Sequence, residues 1–81
     1  MNTVHLETLL AILDEGSFEN ASLALSISPS AVSQRVKALE KTVGRVLVSR
    51  TQPAVATEAG EVLVQAARKM TLLQDETRQQ L

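Results

Sequence analysis

Ser17 and Ser28 each stand where a helix has to begin, and the stretch between them holds only a short helix and a tight turn. Gly16 ends the apolar stripe before it, Ser17 can N-cap the next segment, and Phe18, Ala21 and Leu25 mark about two helical turns. Ser26-Ile27-Ser28 is the turn, with Ile27 as the apolar residue tucked beneath it. Ser28 caps the next helix, and Pro29 takes its first position, where a missing N–H costs nothing. Val32, Val36, Leu39 and Val43 then recur at +4, +7 and +11, one buried stripe running to Gly44. Ala21 and Ser22 are small, as two steeply crossing helices require where their backbones approach. A short helix, a three-residue turn and a longer helix make a helix-turn-helix, over residues 18 to 43.

The flanks complete a small, mainly α fold. Leu6, Leu9, Leu10 and Leu13 predict an amphipathic first helix. Val46-Leu47-Val48 and Val55-Ala56-Thr57, joined through Arg50-Thr51-Gln52-Pro53, predict a wing of two short strands over residues 46 to 57. Thr57 caps a long helix with Glu58 and Glu61 in its first turn, where the helix dipole favours acids. Val62, Ala66, Met70 and Leu73 follow a spacing near 3.5 along it, extended by Thr77 and widened by Leu63, Ala67 and Leu81. A helix of about 24 residues, roughly 36 Å, outreaches the core of so small a chain, so only its first two turns are expected to touch that core. The rest of the stripe is expected to pack on a partner helix, as a homodimer contact. The chain therefore divides into a winged helix-turn-helix at 1–58 and a dimerisation helix at 58–81.

Eighty-one residues bury only about 60% of the surface their unfolded chain exposes, a further reason to expect pairing. There is no Cys, no apolar run of membrane-spanning length and no targeting segment, which fits a soluble protein of the cytoplasm. The formal net charge of −1 is not that of a basic domain, but the charges are unevenly placed. Residues 1–27 carry four acids and no Lys or Arg, whereas residues 28–57 carry Arg35, Lys37, Lys41, Arg45 and Arg50 against Glu40 alone. A middle third of +4 can steer a polyanion to one face, although a solvated helix would show the same charges.

At 100° per residue, the face opposite the Val32–Val43 stripe carries Ser30, Gln34, Lys37 and Lys41, with Ser33 at its edge. That face suits the major groove of double-stranded DNA. Ser30, Ser33 and Gln34 are the candidate base readers, since Gln pairs with adenine N7 and N6 and Ser accepts or donates. Ala31 either meets a thymine methyl or serves as a helix spacer. Ser28 and the free amides of the helix N-terminus can hold a phosphate. Lys37 and Lys41 would add phosphate contacts that position the domain without reading sequence, with solubility as their alternative role. Arg35 falls nearer the buried stripe and is expected to pair with an acid. Phe18, the one aromatic residue, reads as a core plug and not as a stacking platform.

Gly16-Ser17-Phe18, Ala21-Ser22, Ser28-Pro29-Ser30-Ala31-Val32-Ser33, Leu39-Glu40, Gly44, Arg50 and Thr57-Glu58-Ala59-Gly60 resemble, in order and spacing, the N-terminal domain of LysR-type transcriptional regulators. The resemblance runs from residue 4 to about 70. Ser33-Gln34-Arg35 and Arg50-Thr51-Gln52-Pro53 look most like the subgroup that governs lysine and arginine export. It implies a bacterial, sequence-specific DNA-binding domain, dimeric through the long helix, on an AT-rich interrupted dyad, and tetrameric in the intact protein. It implies a phosphate contact for Arg50, and a small-molecule effector bound only by a C-terminal domain that this chain does not contain. Two departures stand out: Leu47-Val48 replaces the family's usual Leu-Phe, and the wing is one residue short with no Arg at its tip. Gln52 or backbone amides are expected to replace that Arg beside the minor groove.

No catalytic, metal or cofactor site is expected. His5 is the only His, no Cys exists to pair with it, and Gly16, Gly44 and Gly60 are isolated turn or cap residues. The competing reading is a protein-interaction module that uses the long helix without reading DNA. Against it stands the polar, basic face of residues 28–41, which lacks the Trp and Tyr that anchor protein partners. RNA binding by base stacking lacks aromatic residues in the same way.

Overall fold

The computed structural model describes residues 1–81. Four helices follow one another: α1 (Thr3–Glu15), α2 (Phe18–Leu25), α3 (Pro29–Val43) and α4 (Glu58–Gln80). Each starts on a side chain that satisfies free amides of its first turn. Asn2 accepts from the Val4 and His5 amides, Ser17 from Asn20, Ser28 from Ala31 and Thr57 from Gly60. α1 and α3 end on Gly16 and Gly44 in the left-handed region (φ 88° and 78°), and Ser26 takes the same region (φ 57°) to turn α2 into α3. α2, the turn and α3 together occupy residues 18–43.

α1, α2 and α3 enclose the core. Leu9, Ile12, Val32, Val36, Leu39 and Leu47 are all essentially inaccessible, and burial of such a side chain contributes roughly 1.5–3 kcal/mol. The buried side of α1 is broader than the Leu6–Leu13 stripe suggests. Thr8 and Ile12 are fully buried, and Thr8 Oγ1 donates to the Val4 carbonyl at 2.8 Å. Leu10 and Leu13 are only half-buried. The first helix packs on α2, α3 and α4: Thr8 meets α3 through Arg35, while Leu6, Leu10 and Leu13 line the side that α4 covers.

That second side corrects the expected reach of α4. Ala67, in its third turn, is buried, and Met70, Thr71 and Gln74 border a narrow cleft against Thr3, Leu6, Glu7 and Leu10. α1 runs beside α4 for several turns instead of meeting only its start. An Arg68–Asp14 ion pair at 2.7 Å, about half exposed, ties the two helices; at that exposure it contributes little.

The wing also differs from expectation. The sequence predicts two strands over residues 46–57, but the pairing reduces to one antiparallel bridge, Val48 with Ala56. The backbone bonds Ser49 N to Val55 O (2.8 Å) and Thr57 N to Leu47 O (3.0 Å) flank it. Pro53 offers no N–H, and hydroxyls take the places of ladder bonds. Ser49 Oγ accepts from the Val55 amide, and Thr51 Oγ1 donates to the Pro53 carbonyl. The wing is anchored at its ends: the Ala54 amide donates to the Gly16 carbonyl at 2.8 Å, and the Leu47 amide donates to Glu40 Oε2 at 2.8 Å. Leu47 and Val48 are both buried despite the missing Phe.

Candidate nucleic-acid interface

α3 presents its polar face to solvent. Ser30, Gln34, Lys37 and Lys41 are exposed, and Ala31 and Ser33 lie half-buried at its two edges. Gln34 and both lysines make no hydrogen bond or ion pair within the chain, so their polar ends are free to meet a ligand. Lys41 sits in the last turn of the helix, about 16 Å along the axis from Ser30. It cannot share a contact with the N-terminal group and marks the far end of the face.

The Ser28 hydroxyl accepts from the Ala31 amide at 3.1 Å and lies 3.2 Å from Ser30 Oγ. The cap is therefore engaged with its own helix: Pro29 has no N–H and Ser28 takes the Ala31 and Val32 amides, so the Ser30 amide is the one first-turn donor left for an anion at this end. Ser33 does not bond back along the helix. Its Oγ accepts a hydrogen bond from Arg50 Nη1 at 3.1 Å, which leaves the Ser33 O–H to act as a donor. Arg50 and Gln52 are exposed, and both line a shallow groove with Phe18, Glu19, Pro29 and Thr51. The structure thus brings Ser33, Arg50 and Gln52 to one side of α3, beside its N-terminus. Arg35 makes no ion pair, against expectation: its Nη1 lies 3.5 Å from Thr8 Oγ1, turned inward over α1 and away from the open face.

The model of bacterial regulatory helix-turn-helix proteins of the lysR family matches residues 3–61. The chain belongs to that family. This LysR-family chain is 88% identical over all of its 81 residues to the lysine export transcriptional regulatory protein LysG of Corynebacterium efficiens, and spans 28% of that protein's length. Full-length LysG of Corynebacterium glutamicum, solved with the bound effector Arg, superposes with a TM-score of 0.95 at 82% identity, over 99% of this chain and 28% of that one. The BenM DNA-binding domain, solved in complex with benA site 1 DNA, superposes with a TM-score of 0.91 at 28% identity, over 99% of this chain and 94% of that one. The fold of the LysR-family chain is accordingly a winged helix-turn-helix followed by a long helix.

Two residues of the interface region escape a reading of the sequence. Glu40, the one acid among the bases of residues 28–57, lies two turns beyond Ser33 on the same flank of α3 and holds the wing by its Leu47 amide bond. Its isolation among bases is the one local signal of that role. Phe18 is half-buried, not a fully enclosed plug, and the Arg50 guanidinium stands over its ring, 4.3 Å from the centroid. Nothing in the local sequence points to that pair.

Four residues of α4 expected to form a partner contact, Val62, Ala66, Met70 and Leu73, are all exposed, as is Leu72 beside them. No cluster of His, Cys, Asp or Glu comes together that could hold a metal ion. No helix is long and apolar enough to cross a membrane.

Proposed function

We propose that this chain is the DNA-reading end of a bacterial transcriptional regulator, with α3 in the major groove and the wing against the adjoining backbone. The observation that carries the reading is the exposed Ser30–Gln34–Lys37–Lys41 face, set beside Arg50 on a fold shared with a DNA-bound domain. Residues 1–58 form the reading unit and 58–81 the helix that pairs two copies. Ser30, Ser33 and Gln34 read base edges, and Ala31 is placed to meet a thymine methyl. Lys37, Lys41, Arg50 and Gln52 hold phosphates, joined at the Ser28-capped end of α3 by the Ser30 amide. Val62, Ala66, Met70 and Leu73 make the homodimer contact, so the target is an interrupted dyad, AT-rich by analogy with the family.

The protein acts in the cytoplasm as a binding protein and not as an enzyme. High identity to a lysine export regulator supports control of a basic amino-acid exporter gene by the whole protein. The Arg-bound relative supports an effector site outside these residues, and a tetramer is the assembly proposed for the intact protein.

The test is to mix the chain with a pool of random duplex DNA at physiological salt, recover the bound fraction and sequence it. An enriched inverted repeat establishes dimeric sequence reading, and its half-site spacing reports the dimer geometry. A stable dimer that recovers no DNA would instead favour the protein-interaction reading.

Two substitutions separate readers from phosphate contacts. Gln34→Ala is expected to cost roughly 1–3 kcal/mol on the selected site and to relax preference at one base pair. An equal loss on every sequence would remove Gln34 from the readers. Lys41→Ala is expected to reduce the slope of log affinity against log salt by about 0.9 per lost phosphate, with specificity unchanged. A slope equal to that of the parent would remove Lys41 from the phosphate contacts.

A further inference from the structure

Arg50 has an unusual setting for an exposed arginine. It makes no ion pair, although Glu19 borders the same groove. It is fixed instead by two uncharged partners, the Phe18 ring beneath the guanidinium at 4.3 Å and Ser33 Oγ at 3.1 Å. Phe18 opens α2, Ser33 lies on α3 and Arg50 leads into the wing turn, so one side chain spans all three pieces of the reading head. An arginine held this way keeps its full positive charge, because neither partner neutralises it. It also keeps most of its donors, since only Nη1 is engaged within the chain.

We propose that Phe18 is the positioning residue for Arg50: its ring pre-orders the guanidinium against α3, so that Arg50 meets a DNA phosphate without first being immobilised. This rests on the DNA-binding reading above. Ordering a rotamer-rich side chain on binding is costly, and a stacked arginine has met most of that cost in the free protein. Stacking on an aromatic face is also specific to a ring; an aliphatic side chain of equal bulk fills the space below but offers no attraction for the cation. Ser33 contributes the second point of fixation and thereby links the wing to the register of α3.

The experiment is a double-mutant cycle on duplex binding by the chain, with Phe18→Leu, Arg50→Ala and the pair, and Phe18→Tyr as the conservative replacement. Phe18→Leu should weaken binding about twofold to tenfold in the parent background, the equivalent of one side-chain ordering cost. It should have no effect once Arg50 is Ala, and Phe18→Tyr should bind as the parent does. A loss of the same size in both backgrounds would show that Phe18 acts only through the helix core and would overturn the proposal. So would an unchanged affinity for Phe18→Leu. A second readout needs neither DNA nor a variant that folds: the Arg50 δ protons of the parent chain should carry an upfield ring-current shift in its NMR spectrum. Their absence from the shifted region would overturn the proposal. A parent chain that binds no duplex at all would fail the DNA reading first, before any variant was compared, and would remove the phosphate role of Arg50 with it.

Discussion

Gly60→Ala is expected to destabilise the domain by about 3 kcal/mol, which for a chain of this size lowers the thermal midpoint by roughly 12–24 °C. Helix propensity alone predicts the opposite, because Ala in a helix is favoured over Gly by about 1 kcal/mol. Geometry decides against it. A Cβ on Gly60 would overlap the Leu47 carbonyl oxygen, and the neighbouring Leu47 backbone atoms leave it no room to turn aside. The Leu47 peptide cannot yield easily. Its amide is held by Glu40 at 2.8 Å, its carbonyl accepts from the Thr57 amide at 3.0 Å, and its side chain is fully buried. Thr57 fixes the other side of the contact: its hydroxyl donates to the Val46 carbonyl at 2.6 Å and accepts from the Gly60 amide at 3.0 Å. Thr57 and Gly60 together dock α4 on the wing at van der Waals distance, which is what their spacing accomplishes. Thermal unfolding followed by circular dichroism measures the effect. A midpoint equal to or above the parent's would mean that α4 can slide along the wing without loss.

The parts of this fold legible in the sequence are those decided within a few residues. Ser17, Ser28 and Thr57 announce three helix starts because a cap bonds an amide only three residues ahead. Gly16 and Gly44 announce two ends because a left-handed backbone needs no distant partner. The open face of α3 comes from its period alone. What is misread depends on separation. Periodicity does not separate Leu10 and Leu13 from Leu9, because it sees only that all three are apolar and not that Leu10 and Leu13 are covered incompletely. The wing strands are overpredicted because β-branched residues favour extension, whereas pairing also needs ladder donors that the Pro53 turn does not provide. The Phe18–Arg50 stack, the Arg50–Ser33 bond and the Asp14–Arg68 pair join residues 32, 17 and 54 positions apart. No local rule reaches them, and the first two of these shape the interface region.

Glu substituted at both Val62 and Leu73 is expected to convert the chain to a monomer and to lower its affinity for a two-half-site duplex by a factor on the order of 10² or more. At 100° per residue Val62, Ala66 and Leu73 lie within about 40° of one another and Met70 within a further 40°, whereas Gly60, Leu63 and Ala67 centre more than 90° away on the side facing the wing and α1. Met70 borders the cleft against α1, but Val62, Ala66 and Leu73 have no partner within their own chain: Val62 is 70% and Leu73 65% exposed. Aliphatic surface kept at this exposure along a 23-residue helix is what a second copy of that helix would cover. A carboxylate in such a seam would be buried without a counter-charge, which is strongly unfavourable. Because neither side chain contributes to the core, the thermal midpoint of the dissociated domain should reflect only the loss of pairing, and its helix content should persist. Loss of the second half-site turns a linked binding event into two independent ones, and that accounts for the size of the expected fall. Sedimentation equilibrium and titration on single and paired half-sites separate the two consequences. A double variant that still sediments as the parent does, or that loses equal affinity for a single half-site, would move the pairing surface away from this stripe.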